Sequence, residues 1–220
     1  MTAAEQPSPQ PATGSLTEAI VGYYDETWLD YRILWLNKDN LAVHFGYTDD
    51  STHSHTDALK NMNRVLADRV RIQPGERVLD AGCGVGGSSL WLATERGAEV
   101  VGITLAARQA AMARDNAIRR GVTDRVQFEV ADFTATPFPD ASFDVVWAVE
   151  SMCHAPHKVA FYREAARLLR PGAWLGIEHA DQQGTSLPAL VRGHGGFVDV
   201  ADHPDLADRP RYATARRCGG

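Results

Sequence analysis

The chain has 220 residues, of which 44% are hydrophobic and 23% are charged, and its formal net charge is -6. These values are typical of a soluble globular domain and argue against nucleic acid or an anionic membrane as partner. No apolar run approaches the roughly 18 residues that span a bilayer. The three cysteines, Cys83, Cys153 and Cys218, are odd in number and far apart. We therefore expect no disulfide framework and a cytoplasmic location.

The first 75 residues are predicted to form two parts. Residues 1–15 are rich in Pro, Ala, Ser and Gln and lack the charge and the apolar run of a secretory signal, so they are predicted to be a disordered leader. Residues 16–75 are predicted to be a helical cap, because apolar side chains recur there at steps of three and four. The pair Pro74-Gly75 ends this region.

Residues 76–180 alternate between predicted strands and predicted helices. Five strands are expected, in the segments RVLDAG, AEVVGIT, RVQFEVAD, SFDVVWAVES and AWLGIEHA. Strands that alternate with helices indicate an α/β fold, in which a parallel Rossmann-like sheet carries helices on both faces. Ligands of such sheets bind at the carboxyl ends of the strands.

The pattern is lost after Ala180. Residues 181–220 contain scattered Gly, Pro and Arg, and only FVDVA in this segment is typical of a strand. We therefore expect an irregular or truncated C-terminal segment and a sheet of five strands. The fifth strand would then lie at an open edge, which favours self-association into a homodimer.

The segment RVLDAGCGVGGSS, residues 77–89, follows the first predicted strand into a helix. Its glycines satisfy the dinucleotide pattern G-x-G-x-x-G, and they also satisfy Asp-x-Gly-x-Gly-x-Gly, which begins at Asp80. A carboxylate at this place would repel a pyrophosphate and attract a cation such as an amino group or a sulfonium. An NAD-dependent enzyme carries an acid at the end of the second strand, where this chain has Thr104. An NAD-dependent oxidoreductase is therefore disfavoured.

The same segments resemble the class I S-adenosylmethionine-dependent methyltransferases. VLDAGCGVGG is similar to motif I of that family, VVGITLAARQ to its second motif, and VADFTATPFPDASFDVVWAVES to its third and fourth. The sequences GITL and HFGY resemble the γ-tocopherol methyltransferases and cyclopropane-fatty-acid synthases. The resemblance covers about residues 20–180. The family sheet has seven strands and ends in an antiparallel hairpin, which we expect to be missing here.

The resemblance implies S-adenosyl-L-methionine as cofactor. Three glycines of the loop would pack against its methionine and ribose, Asp80 would lie near its amino end, and Asp132 with Phe133 would contact the adenine. Thr104 stands where many relatives carry an acid for the ribose hydroxyls. The full set of expected cofactor-binding residues is Asp80, Gly82, Cys83, Gly84, Gly86, Thr104, Leu105, Asp132, Phe133 and Glu150.

Two further groups are candidates for the acceptor side. The loop ESMCHAPHK carries Glu150 and His154, whose spacing resembles the equivalent loop of the cyclopropane synthases. A histidine with a near-neutral pKa is suited to general-base catalysis, and Glu150 would orient it or stabilise a developing cation. Aromatic and histidine side chains of the cap would form a lid, although ordinary core packing explains them equally well; they are Tyr23, Tyr24, Trp28, His44 and Tyr47. Two His pairs lack further ligands at a known spacing, so no metal is expected.

These observations predict an enzyme that transfers a methyl group from S-adenosylmethionine to carbon, oxygen or nitrogen of a small or medium, largely apolar metabolite of the natural-product type. The loss of pattern after Ala180 leaves open a relative that binds the cofactor but is catalytically impaired. An NAD-dependent oxidoreductase is the third alternative.

Overall fold

A computed structural model describes residues 46–152 and 158–219, together with Gly22, Leu41 and His44. The predicted leader lies outside the described residues, as do Tyr23, Tyr24, Trp28 and His154.

The described part of the chain forms one sheet of seven strands with helices on both faces. The α-helices are α1 (His55–Arg69), α2 (Gly87–Glu95), α3 (Ala107–Arg120), α4 (Lys158–Leu168) and α5 (Ser186–Gly193), and a short 3-10 turn covers Asp181–Gln183. The strands are β1 (Arg77–Ala81), β2 (Glu99–Thr104), β3 (Val126–Val130), β4 (Phe143–Ala148), β5 (Leu169–Glu178), β6 (Phe197–Pro204) and β7 (Pro210–Arg217).

The strands are ordered β3-β2-β1-β4-β5-β7-β6. Strands β1 to β5 are parallel, whereas β7 is antiparallel to both β5 and β6. The order reverses between β2-β1 and β4, which is the switch point where open α/β sheets bind their ligands. The predicted Rossmann-like fold is confirmed.

The prediction of a five-stranded sheet with an irregular C-terminal segment is wrong. Residues 181–220 supply the helix α5 and the antiparallel hairpin β6–β7, which completes the sheet. The hairpin pairs with β5 along five residues, from Trp174↔Arg216 to Glu178↔Tyr212. The fifth strand is therefore covered, and the reason for expecting a homodimer or an impaired enzyme is removed.

The hairpin escapes the sequence pattern for two physical reasons. Both faces of the sheet are covered at β7, since Tyr212 packs into one core and Ala213 and Ala215 into the other, so four consecutive residues from Tyr212 to Ala215 are buried and the polar–apolar alternation is absent. Strand β6 contains a register shift between Val198 and Ala201, where Asp199 has a φ of 52°. Such a bulge changes the face to which the following side chains point, which interrupts any period of two.

The core lies on both faces of the sheet, and successive residues of a strand alternate between them. In β4, Val145 and Trp147 pack on the face of α1, α2 and α3, whereas Val146 and Ala148 pack on the face of α4 and α5. Because both faces are covered, the central strands are apolar along their whole length, which is why their sequences predicted them well.

Helix α3 ends with the residues that are typical of a helix C-terminus. Helix α3 carries Arg119 and Arg120 in its last turn, and Gly121 follows it with a φ of 67°. Glycine adopts this left-handed conformation without steric strain. Within the described residues, no helix combines the length and hydropathy that crossing a bilayer requires.

Candidate functional site

The glycine loop after β1 is held down on β2. The N–H groups of Gly82 and Cys83 both donate to the carbonyl oxygen of Ile103 at 2.9 Å, and that of Gly86 donates to Cys83 at 2.9 Å. Gly82, Gly84 and Gly86 all have positive φ, of 95°, 54° and 89°. Helix α2 begins directly after Gly86, so its amino end points at this loop.

The three glycines are required for different reasons. A Cβ on Gly82 would lie 2.2 Å from the Cβ of Ser151, and one on Gly86 would lie 2.9 Å from the ring of Phe128. These two positions are filled by the protein itself. A Cβ on Gly84 would meet no heavy atom within 4 Å, so Gly84 is the glycine whose backbone is open to a ligand.

Asp80 lies beneath the loop and not at its surface. Its exposed fraction is 2%, and its Oδ2 accepts a hydrogen bond of 2.5 Å from the hydroxyl of Ser89 in the first turn of α2. Burial raises the pKa of Asp80 to about 6, and the Ser89 bond offsets part of that rise. Cys83 is also buried, and burial together with the Asp80 charge raises the pKa of its thiol well above the usual range. Cys83 is therefore not suited to act as a nucleophile.

Thr104 ends β2 and its hydroxyl is already engaged. It donates to Oε1 of Gln109 at 2.7 Å and accepts from the N–H of Ala106 at 3.3 Å. A threonine hydroxyl has one proton, so a further partner of Thr104 would have to donate to it. Gln109 is a residue that the sequence analysis did not single out, although it lies in the quoted second motif. Leu105, between them in the chain, is half-buried.

Asp132 and Phe133 follow β3, two strands away from the loop. Asp132 is exposed, and its Oδ1 accepts from both the N–H and the hydroxyl of Thr134, at 2.8 and 2.7 Å. It thus stabilises the turn, which fixes the direction of its carboxylate. Phe133 is half-buried, and its ring meets that of Phe161 edge-on at 5.4 Å.

The segment after β4 brings Glu150 and Ser151 to the glycine loop. Glu150 has a φ of 52°, an uncommon value for a residue that is not glycine. This backbone conformation turns the chain so that Ser151 lies against Gly82. The hypothesis of a Glu150–His154 pair stays a prediction, because His154 lies outside the described residues.

Of the expected lid residues, the structure describes His44 and Tyr47. His44 is buried. The Tyr47 hydroxyl donates to the carbonyl oxygen of Pro204 at 3.3 Å, and its ring meets Tyr212 edge-on at 6.3 Å. The contacts of Tyr47 therefore join the segment before α1 to the hairpin, which is the packing alternative given above for the aromatic residues.

One acid that the sequence analysis missed lies at the same edge of the sheet. Three residues are in register across neighbouring strands: Asp80 of β1, Trp147 of β4 and Gly176 of β5. Two residues beyond this row, the chain reaches Gly82 after β1 and Glu178 at the end of β5. Glu178 is 5% exposed, and neither of its carboxylate oxygens has a hydrogen bond among the described residues. A single acid inside the apolar segment AWLGIEHA was the available signal.

Comparison with known proteins agrees with this geometry. The family model described as a methyltransferase domain matches residues 79–177. Methyltransferase GfsG of Streptomyces halstedii is 39% identical over 192 residues, which are 86% of this chain and 68% of GfsG. The chain belongs to the class I S-adenosylmethionine-dependent methyltransferases. The motif resemblance is thereby confirmed, together with S-adenosylmethionine as the cofactor of this methyltransferase.

Two further matches bear on subfamily and fold. The probable chloroplastic tocopherol O-methyltransferase of Oryza sativa subsp. japonica is 36% identical over 167 residues, which are 72% of this chain and 45% of that protein. The crystal structure of the [4+2]-cyclase SpnF matches with a TM-score of 0.79 at 24% identity, and the match covers 93% of this chain and 97% of that one. At this identity the second likeness shows the methyltransferase fold alone.

Proposed function

We propose that this methyltransferase acts on a small or medium, largely apolar metabolite and binds its cofactor along the carboxyl edge from β3 to β4. The observation that carries this proposal is the glycine loop, with the open backbone of Gly84 above the buried carboxyl group of Asp80. The described residues fit S-adenosylmethionine, because a zwitterionic ligand with an additional positive charge suits a loop with an acid beneath it. The cofactor supplies a methyl group that is activated by its sulfonium.

The order of the strands supports an orientation for the cofactor. Three candidate binding positions lie side by side at the carboxyl ends of neighbouring strands. They are Asp132 after β3, Thr104 with Gln109 after β2, and the glycine loop after β1. The cofactor joins adenine, ribose and methionine in that order. We therefore assign the adenine to Asp132, the ribose to Thr104 with Gln109, and the methionine to the glycine loop. Gln109 shares the ribose with Thr104, because its side chain is the hydrogen-bond partner of the threonine hydroxyl. The reactive end then faces β4 and β5.

We propose that the acceptor binds at the ends of β4 and β5, and we keep Glu150 and His154 as its expected catalytic partners. The similarity to the tocopherol O-methyltransferase supports a metabolite as acceptor, and the net charge of -6 disfavours nucleic acid. In this proposal His154 accepts a proton from a weakly acidic acceptor, and the cap keeps water away from the reacting groups. A cytoplasmic location is part of the proposal; the free thiols of Cys83 and Cys218 support it.

The experiment that tests this function is transfer of label from methyl-labelled S-adenosylmethionine. The purified chain is incubated with γ-tocopherol, with a set of hydroxylated macrolactones and prenylated phenols, and in parallel with tRNA and duplex DNA. We expect label in the organic extract of at least one metabolite and none in nucleic acid. Robust labelling of tRNA or DNA would contradict the proposed acceptor class.

The same assay tests His154 with a matched control in the same loop. The variant His154→Ala should lower kcat on a weakly acidic acceptor by about 10²- to 10⁴-fold, the usual contribution of a general base. Its affinity for S-adenosylhomocysteine should not change. His157→Ala removes a histidine three residues away and should retain activity. Equal losses in the two variants would argue against a general-base role.

A further inference from the structure

Glu178 differs from the other buried acids of the described chain. Asp80 accepts from Ser89, and Glu164 accepts from Thr136 and forms an ion pair with Arg167 at 2.6 Å. Glu178 is as deeply buried as they are, but neither oxygen has a side-chain hydrogen bond among the described residues, and of the backbone groups only the N–H of Glu150 is near enough to affect it. Buried polar groups are almost always satisfied, so a carboxyl group left open in this way indicates a missing partner.

The position of Glu178 indicates where that partner lies. It ends β5 on the same face of the sheet as Asp80, and it is two strands away from the glycine loop. Strand spacing makes that separation about 10 Å. The proposed acceptor lies between the loop and Glu178, because the cofactor extends in the other direction, towards β2 and β3.

The groups around Glu178 set its charge. Glu150 faces it from the segment after β4, and Arg211 and Tyr212 face it from β7. From the helix side, Leu66 and Val70 lie against the neighbouring Gly176, and the Arg69 guanidinium bonds to the hydroxyl of Tyr212. Burial raises the pKa of Glu178 well above its usual range, and the Glu150 carboxylate raises it further. Arg211 and the backbone N–H of Glu150 lower the pKa without cancelling that rise.

We propose that Glu178 is the counter-charge of the methyl sulfonium and that it regains its own proton once the sulfonium has lost its charge. The proposal rests on the proposed function. In the free protein Glu178 holds a proton, which it gives up when the positively charged cofactor binds. During transfer the sulfur–methyl bond breaks and its electron pair stays on sulfur, while the acceptor bonds the methyl group and gives its proton to the base of the proposed function. Glu178 then takes a proton back from solvent, because the positive charge beside it is gone. The buried site then carries no unpaired charge before or after the reaction.

The test compares two probes that differ in the sulfonium, S-adenosylmethionine and S-adenosylhomocysteine. Both are titrated calorimetrically into the full chain at pH 7.5, in phosphate and in Tris buffers, whose different ionisation enthalpies reveal proton release. We expect more proton release with S-adenosylmethionine than with S-adenosylhomocysteine. Equal release with the two probes in the unaltered protein would overturn the proposal.

Two isosteric variants locate the group. Glu178→Gln should abolish the difference in proton release and weaken S-adenosylmethionine by about tenfold relative to S-adenosylhomocysteine, the order of the attraction between unit charges about 10 Å apart at an effective dielectric constant of about 20. The difference between the two proteins should shrink as pH falls, because protonation removes the charge of Glu178. Asp80→Asn should preserve the difference, because both probes carry the same amino acid end. A difference that survives in Glu178→Gln and disappears in Asp80→Asn would overturn the assignment to Glu178.

The outcomes separate this proposal from the proposed function. Binding of neither probe would contradict cofactor use itself and overturn both. Binding of both probes with equal proton release would leave methyl transfer standing and remove only the role of Glu178.

Discussion

The glycines of the loop serve two purposes within residues 82–86: two of them allow close packing inside the protein, and one leaves room for a ligand. Gly82 and Gly86 are required by Ser151 and Phe128, which occupy the space that a side chain would need. Gly84 has open space above it and is left for the ligand. Spacing alone could not separate these roles, because it does not report which neighbours pack against each glycine.

Gly84→Ala is expected to weaken the binding of S-adenosylhomocysteine, because its methyl group enters the space left for the ligand. Gly75→Ala is the matched control, since Gly75 also has positive φ and open space but lies before β1, away from the site. Both variants should lose about 1–2 kcal/mol of stability from left-handed strain. Calorimetric titration and urea unfolding measure the two effects. Unchanged affinity in Gly84→Ala would contradict the role given to this position.

Asp80 is expected to make the stability of the ligand-free protein depend on pH. Its pKa is about 6 in the folded chain against 3.8 when unperturbed, so the unfolded chain loses this proton first as pH rises. The contribution of Asp80 is therefore fully present below about pH 4 and is lost as pH rises through about 6, where the loss reaches about 3 kcal/mol. Asp80→Asn cannot ionise, so its stability relative to the unaltered protein should rise between pH 4 and pH 7. Urea unfolding at several pH values measures this, and a constant difference would show that Asp80 does not titrate.

The site could be predicted only in part from the sequence. Thr104 was identified by its place at the end of β2, but its hydrogen bond to Gln109 depends on the first turn of α3. Glu178 was missed because the burial of its carboxyl group depends on the pairing of β5 with β7. That pairing joins segments far apart in the sequence, so no local pattern reveals it.

At the scale of elements, five strands could be predicted as a sheet, FVDVA of β6 could be recognised only as an isolated strand-like segment, and β7 could not be predicted. The central strands β1, β2 and β4 are largely apolar because helices cover both faces, the edge strand β3 alternates in burial, and helices separate most of the five along the chain. The hairpin has no such pattern. Its burial depends on Tyr212 and on small residues such as Ala213 and Ala215, which are also common in loops and helices. His179, directly after β5, bonds to Asp202 of β6 at 2.7 Å, a long-range contact that sequence spacing does not reveal.

Tyr212 is expected to anchor the hairpin to the rest of the molecule. It is 1% exposed, stacks on His203 at 4.7 Å and accepts a hydrogen bond of 3.3 Å from Arg69 of α1. Tyr212→Ala should cost about 3–5 kcal/mol, as for other large buried aromatic residues. Tyr212→Phe removes only the hydroxyl and should cost about 1 kcal/mol. Urea midpoints compare the two variants, and equal small losses would mean that the hairpin does not unfold together with the sheet.

At the scale of the whole molecule, cofactor binding and folding are coupled through the carboxyl edge. A ligand present at 100 times its Kd stabilises the protein that binds it by about 2.7 kcal/mol. For a chain of this size we expect S-adenosylhomocysteine at that concentration to raise Tm by about 5–10 °C. NAD at the same concentration serves as control and should leave Tm unchanged. A comparable shift with NAD would contradict the interpretation of Asp80 and Thr104.

The strand order also imposes a sequence of events on the growing chain. Strand β7 is made after β6 but lies between β6 and β5. When β6 leaves the ribosome it has no partner in the nascent sheet, and β5 still exposes its backbone edge. The edge of β5 that faces away from β4 and the edge of β6 that faces β7 stay unpaired until residues 210–217 have emerged. Strand β7 then either joins β6 first or pairs directly with β5. Until then the nascent sheet has an unpaired edge to which a chaperone or a second nascent chain can bind. This exposure ends when β7 has been synthesised and has paired.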